Sequence, residues 1–214
     1  MSEIYEIRAI GEFTKEPDSR QIKGLAIPVE SRSALLYQKD KKFYETIERS
    51  AITPELIAKN DIKLYVNHDP SQGTFARSKY GEGSLNLEIT ERGLEFTTEL
   101  PDTQKGEELL RGIERGDYDA ISFRMIVGKD HYDSKPNEDG TWNRHIDNIR
   151  WLDEISILSQ TPAYGETSVD LRSLEAVQKE YEERMKEEEM KEQEKIVSGL
   201  ESLMKEIEEL GKTE

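Results

Sequence analysis

Residues 84–100, SLNLEITERGLEFTTEL, contain two short apolar runs separated by a turn with a glycine. This pattern predicts a β-hairpin in which Ser84–Thr90 pairs with Gly93–Leu100. Six other runs of similar character are predicted strands: Ile4–Ile10, Ile22–Val29, Phe43–Ile47, Ile62–Val66, Ala120–Val127 and Ile149–Leu158. Many short strands with few helices predict a mainly β (α+β) fold, specifically a closed β-barrel.

Two short helices and one long loop are expected between these strands. Thr53 supplies a capping hydroxyl, followed by proline at the first helical position. Asp102 or Thr103 could cap a second helix, which Gly116 would end. Residues 129–145 are polar and rich in turn-forming residues, so we expect an exposed loop there.

Composition excludes several classes of protein. The 214 residues are only 34% apolar and 36% charged, and they have a net charge of −16 and no cysteine. A strongly acidic chain is unsuited to direct nucleic-acid binding. No apolar run approaches a membrane span, and the first residues do not have the pattern of a signal peptide. We expect a cytoplasmic protein with no membrane partner, no cofactor and, without an HExxH motif, no catalytic metal.

The last forty residues differ in composition from the rest. Residues 175–214 carry 14 acidic and 7 basic side chains, a net charge of −7. An apolar seam with heptad spacing runs through Ile196, Leu200, Leu203, Ile207 and Leu210. We predict a folded domain over residues 1–172 and an acidic helical or coiled-coil tail over 173–214, whose seam needs a partner helix.

Three segments place polar residues in or beside apolar strands. His68 follows the strand Ile62–Val66, where it is either an ordinary turn residue or a general base. Ser122 starts a core-type strand, as a small residue facing a crowded neighbour or as a nucleophile. Asp153 and Glu154 interrupt another apolar strand, either at a sheet edge or as partners that orient a histidine.

In this order, the three segments resemble the prohead (capsid maturation) proteases of tailed phages, which are related to the herpesvirus assemblin proteases. The resemblance lies in the motifs NHD at 67–69, ISF at 121–123 and EISILSQTPAY at 154–164. The stretches QIKGLAIPVES at 21–31 and FYETIERSAI at 43–52 also resemble family segments. The likeness covers roughly the first 170 residues and leaves the tail outside it.

The resemblance implies an assemblin-like barrel and a serine endopeptidase. Ser122 would be the nucleophile and His68 the general base, because a serine hydroxyl needs a base to take its proton. Glu154 matches the family position of the third member, with Asp153 and Asp147 as nearby alternatives.

The remaining functional groups are less defined by sequence. His131 and His145 lie in or beside the polar loop, and we interpret both as loop residues without a function. Backbone donors of an oxyanion hole leave no side-chain pattern. Loose analogy suggests the segment Arg144–Arg150 as the place to search for them.

The resemblance also implies substrates and a setting. The enzyme would cleave the scaffolding segment of the major capsid protein, and itself near residues 165–180, inside a procapsid in the host cytoplasm. It would be absent from the mature virion, and its tail would bind the scaffolding segment or the tail of a second copy, as in a homodimer. The alternative is a catalytically silent capsid assembly or scaffolding protein on the same fold.

Overall fold

The computed structural model describes residues 5–16, 19–38 and 41–159, together with eight helical positions between 179 and 193. The chain divides into two units, Met1–Leu171 and Arg172–Glu214. The described strands of the first unit are β1 Glu6–Lys15, β2 Gln21–Pro28, β3 Leu36–Gln38, β4 Lys41–Ile47, β5 Asp61–Val66, β6 Ala76–Lys79, β7 Glu82–Gly83, β8 Leu85–Thr90, β9 Gly93–Glu99, β10 Ala120–Tyr132 and β11 Trp142–Leu158. Its described α-helices are α1 Pro54–Lys59 and α2 Gln104–Arg115.

The expectation of mainly β structure is correct, but the expectation of a closed barrel is wrong. The strands pair in the order β7-β6-β5-β11-β10-β1-β2-β9-β8. In addition, β4 pairs with β11, and β3 pairs with β4. No ladder among the described residues joins the two ends of this path. The physical reason lies in β7, which occupies the outer edge of β6. β7 is two residues long and passes into β8 through Ser84 alone, so it cannot fold back to pair with β8.

Strand β1 joins the two halves of this open sheet. Its first half pairs with β10 and its second half with β2, and the register shifts between Ala9 and Gly11. Such a bulge bends a strand and increases its twist. The bend lets a single sheet wrap around a core whose fully buried members include Ile22, Leu64, Phe96, Phe123 and Ile155.

The predicted hairpin and helix ends are confirmed. Strands β8 and β9 are antiparallel, with Thr90 opposite Gly93. The Thr53 hydroxyl accepts a hydrogen bond from the Leu56 N–H at the start of α1. The Thr103 hydroxyl caps α2, and Gly116 ends that helix in the left-handed conformation that favours glycine.

The expectation of an exposed loop over residues 129–145 is wrong at both ends of that segment. Strand β10 continues to Tyr132, and β11 already begins at Trp142, so only the residues between them form the turn. Arg144 has 1% of its side chain exposed. At Arg144 the polarity of the sequence therefore reflects buried charge rather than exposure to solvent.

Arg144 belongs to a buried ion-pair network of five residues. Its guanidinium lies 2.7 Å from Glu6, 2.9 Å from Glu45 and 2.6 Å from Asp130. Arg8 completes the network at 2.5 Å from Glu45 and 2.6 Å from Glu6. Burial alone would raise the pKa of the Glu45 carboxyl, but Arg8 and Arg144 outweigh it and lower the pKa. The network ties β1 to β4, β10 and β11.

We expect Arg144→Met to lower the free energy of unfolding by about 3–5 kcal/mol at pH 7, because it leaves buried carboxylates without their cation. A carboxyl whose pKa is lowered by folding stabilises the protein above its unfolded pKa, and this contribution is lost as the pH falls through the folded pKa. The difference between wild type and variant should therefore shrink below about pH 4. Urea unfolding at pH 7 and at about pH 3 measures both effects.

The matched control is Arg77→Met, because Arg77 pairs with Asp61 at the surface, with 46% of its side chain exposed. Its removal should cost at most about 1 kcal/mol. If both variants lost the same stability, Arg144 would not have the structural role assigned to it.

The second unit is described at few positions. Lys179, Glu183 and Met190 are helical and exposed, and Lys179 lies 3.8 Å from Glu183, one helical turn away. The heptad seam from Ile196 to Leu210 lies outside the described residues. No helix in the described part of the chain is long and apolar enough to cross a membrane.

Candidate active site

A tight turn after β5 places His68. Strand β5 buries Ile62, Leu64 and Val66 in the core and ends there. The next two residues both have positive φ, 51° at Asn67 and 58° at His68. Asparagine and histidine adopt this conformation more readily than most residues other than glycine, although each does so at some cost in free energy. The turn therefore holds the imidazole in a defined position at the end of the strand.

Contacts with β11 support this turn. The Asn67 N–H donates to the Ile157 carbonyl at 2.9 Å, and the Asn67 side chain accepts from the Ser159 N–H at 3.0 Å. Because β5 runs parallel to β11, with Tyr65 opposite Ser156, the end of β5 lies beside the end of β11. His68 is thereby brought next to residues more than eighty positions later in the chain.

Strand β10 places Ser122. Its neighbours Ile121 and Phe123 are fully buried in the core, and strand alternation puts Ser122 on the opposite face of the sheet. Ser122 is paired with Ala9 on one side and with Ser156 on the other. The hydroxyl thus projects from a strand that is paired along both edges.

His68, Ser122 and Glu154 form one continuous hydrogen-bonded row. The Nε2 atom of His68 lies 2.7 Å from the Ser122 Oγ. Its Nδ1 atom is hydrogen-bonded to the Oε1 atom of Glu154. Ser122 and Glu154 are buried, whereas 23% of the His68 side chain is exposed. A peptide would therefore have to reach Ser122 past the imidazole.

The charge on Glu154 determines which atoms of this row donate hydrogen bonds and which accept them. Burial by itself would raise the pKa of the Glu154 carboxyl, but hydrogen bonds from His68 and Ser156 and the nearby charge of Arg124 outweigh it and lower the pKa. An ionised carboxylate only accepts, so Nδ1 of His68 donates to it. In the neutral imidazole, Nε2 is then left to accept from the Ser122 hydroxyl.

The two alternative carboxylates have other partners. Asp153 binds the guanidinium of Arg124 through both oxygens, at 3.1 and 2.6 Å. Asp147 lies 3.0 Å from the Nδ1 atom of His131. Glu154 is the carboxylate that the structure places on His68.

His131 and His145 are strand residues rather than loop residues. They face each other across β10 and β11 with their rings stacked 4.8 Å apart. His145 also hydrogen-bonds Glu48 at 2.7 Å. Neither ring has a part in the row at Ser122.

The segment Arg144–Arg150 is not close to Ser122. Arg144 pairs in register with Tyr132, whereas Ser122 pairs with Ser156. The twelve positions from Arg144 to Ser156 correspond to about 40 Å along β11. Even Arg150 lies six positions before Ser156, about 20 Å along the strand, so the backbone N–H groups of this segment do not reach Ser122 and the analogy with an oxyanion hole fails here.

Two residues of the site were given no role in the sequence analysis. Ser156 donates from its hydroxyl to Glu154 Oε1 at 2.8 Å, and Arg124 lies 3.4 Å from Glu154 Oε2. Period-two alternation could have indicated both, because each lies two residues from a candidate on the same strand. Among the described residues, no group of three or more acidic or histidine side chains is arranged to bind a metal ion.

A serine hydroxyl on one imidazole nitrogen and a carboxylate on the other is the arrangement found in serine hydrolases. The family model of the caudovirus prohead serine proteases, peptidase S78, matches residues 5–180. The chain belongs to this family. Among solved structures, the capsid assembly protease gp21 of bacteriophage T4 is similar, with a TM-score of 0.44 and 10% identity over 72% of this chain and 96% of that one. No curated protein matches the sequence.

Proposed function

We propose that this protein is a capsid maturation endopeptidase in which Ser122 is the nucleophile, His68 the general base and Glu154 the third member of the triad. The observation that carries the proposal is the contact of 2.7 Å between His68 Nε2 and Ser122 Oγ, with Glu154 on the other ring nitrogen. Membership of a serine protease family supports it independently.

The hydrogen-bonded row supports the proton transfers of peptide cleavage. Nε2 of His68 takes the proton as the Ser122 oxygen bonds to the peptide carbonyl carbon, and it returns that proton to the leaving amine as the C–N bond breaks. Water then attacks the acyl-serine by the same route and regenerates the hydroxyl. Glu154 holds the imidazole in the required tautomer and stabilises the imidazolium that forms in each half-reaction.

The substrate assignment is part of the proposal. The family acts on proheads, which supports cleavage of the major capsid protein and its scaffolding segment inside the procapsid in the host cell. Self-cleavage near residues 165–180 would separate the two units and free the protease from its tail. The enzyme would then be absent from the mature virion.

The alternative is a silent assembly protein on the same fold. Such a protein has no need to keep three residues from three separate strands or turns in one hydrogen-bonded row. A fluorophosphonate probe and co-expression with the capsid protein distinguish the two functions. The endopeptidase labels at Ser122 and shortens the capsid protein, whereas a silent protein does neither.

We further propose that residues 175–214 direct the protease to its substrate. A tail that the sequence predicts to be helical, with a net charge of −7, suits a partly basic, helical partner such as a scaffolding segment. Its seam can otherwise pair with the tail of a second copy. Deleting residues 175–214 should leave labelling by the serine probe unchanged but abolish packaging into procapsids and processing there.

Packaging and processing are measured in procapsids purified from cells that express either the full-length or the truncated protein. The control exchanges the seam leucines Leu200 and Leu203 for lysine, which preserves the length of the tail but removes its apolar contact. Normal packaging of the truncated form would show that the tail only increases solubility.

A further inference from the structure

The Ser156 hydroxyl connects two members of the site. It donates to Glu154 Oε1 at 2.8 Å and accepts from the backbone N–H of His68 at 3.2 Å. Ser156 is fully buried, so neither bond has a competing water at the surface. One hydroxyl therefore contacts both the carboxylate and the backbone of the residue that carries the imidazole.

The fold explains why Ser156 occupies this point. It lies two positions after Glu154 along β11, so both side chains project from the same face. Ser156 is opposite Ser122 on β10 and opposite Tyr65 on β5, the strand that leads into the His68 turn. It thus lies where the three segments of the site meet.

We propose that Ser156 is a positioning residue that keeps Glu154 and His68 aligned for the reaction of Ser122, an inference that rests on the proposed function. Its hydroxyl fixes the orientation of the carboxylate that receives the Nδ1 proton. Its oxygen also accepts a hydrogen bond from the backbone N–H of His68. The φ of His68 is +58°, a conformation that glycine adopts more easily. Without the Ser156 hydroxyl, both the carboxylate and the turn would have more freedom.

Arg124 does not provide the same restraint. Its guanidinium makes two hydrogen bonds to Asp153 and lies at the longer distance of 3.4 Å from Glu154. Its side chain is 35% exposed, so solvent weakens its charge interactions. Ser156 is the buried donor on the same Glu154 oxygen that binds the imidazole.

The test is the rate of fluorophosphonate labelling at Ser122, which does not require a known peptide substrate. Ser156→Ala should reduce the rate about 10- to 100-fold, the effect of losing one hydrogen bond to a charged group. The matched control is Ser78→Ala, because Ser78 is also buried and its hydroxyl has no hydrogen-bond partner in the described part of the chain. That variant should label within two-fold of wild type.

Two further readouts separate positioning from a merely structural role. The low-field NMR signal of the Nδ1 proton of His68 should move or disappear in Ser156→Ala and stay in place in Ser78→Ala. In a Glu154→Gln background, Ser156→Ala should cause little additional loss, because Ser156 acts through Glu154. Should the alanine variant fail to fold by circular dichroism, Ser156→Cys fills the site with a weaker donor, and we expect the same loss.

Labelling of folded Ser156→Ala within two-fold of wild type would overturn the inference. The inference would also be overturned if Ser156→Ala reduced the labelling rate by the same factor in the Glu154→Gln background as in the wild-type protein. Failure of the proposed function is recognised separately, because the wild-type protein would then label no faster than Ser122→Ala.

Discussion

Ser122→Ala and His68→Ala are each expected to reduce cleavage of the capsid protein by about 10⁴- to 10⁶-fold, as happens when a nucleophile or its base is removed from a serine protease. The reason is the direct contact of 2.7 Å between the two side chains, through which the proton leaves the hydroxyl. The double variant should be scarcely slower than either single variant, because the pair acts as one unit. Mass spectrometry of capsid protein incubated with purified enzyme measures the rates.

Folding of these variants needs a separate control. Circular dichroism and thermal unfolding of both variants show whether the native fold is retained. His131→Ala serves as the matched histidine variant, because His131 is stacked on His145 and has no contact with Ser122. Processing at a normal rate by folded Ser122→Ala or His68→Ala would refute the assignment.

Glu154→Gln is expected to reduce cleavage by up to about 10⁴-fold, the effect of losing the carboxylate of such a triad. An amide can donate to Nδ1 and so favour the tautomer in which Nε2 carries the hydrogen and cannot accept from Ser122. It also removes the charge that stabilises the imidazolium. The remaining activity should exceed that of Ser122→Ala, because an orienting group is less essential than the nucleophile.

The comparison variant is Asp153→Asn, which makes the same chemical change one residue earlier. Asp153 binds Arg124 and is more exposed than Glu154, so we expect a loss of about ten-fold or less. Rates for both variants with the same capsid substrate decide between the two carboxylates. A larger loss for Asp153→Asn would mean that the third member is wrongly assigned.

Local signals in the sequence predicted several elements of the fold correctly. The hairpin of β8 and β9 follows from alternating residues around a glycine, and both α-helices follow from a capping threonine and suitable end residues. Each of these signals depends on residues that are close together in the sequence. The closure of the sheet depends instead on which strands lie at the two ends of the pairing order, and β7 and β8 become those ends through their pairing with β6 and β9.

The polar segment 129–145 shows a second limit of sequence analysis. Charged residues favour exposure unless other charges accompany them into the interior. Glu6 and Glu45, which neutralise Arg144, come from strands about a hundred residues or more away. Their pairing is visible only when β1, β4 and β11 are assembled.

By itself the sequence determined that the chain is mainly β, and it indicated His68, Ser122 and Glu154 as one set through the order of three short motifs. Only the tertiary structure decided which carboxylate reaches the imidazole, because the register of β11 against β10 shifts between Arg124 and Met125 and leaves Asp153 as the extra residue between Leu152 and Glu154. The register of β11 against β5 and β10 turns Glu154 towards His68 and leaves Asp153 with Arg124. It also brings in Ser156, whose contacts with both residues arise from strand pairing and not from any motif.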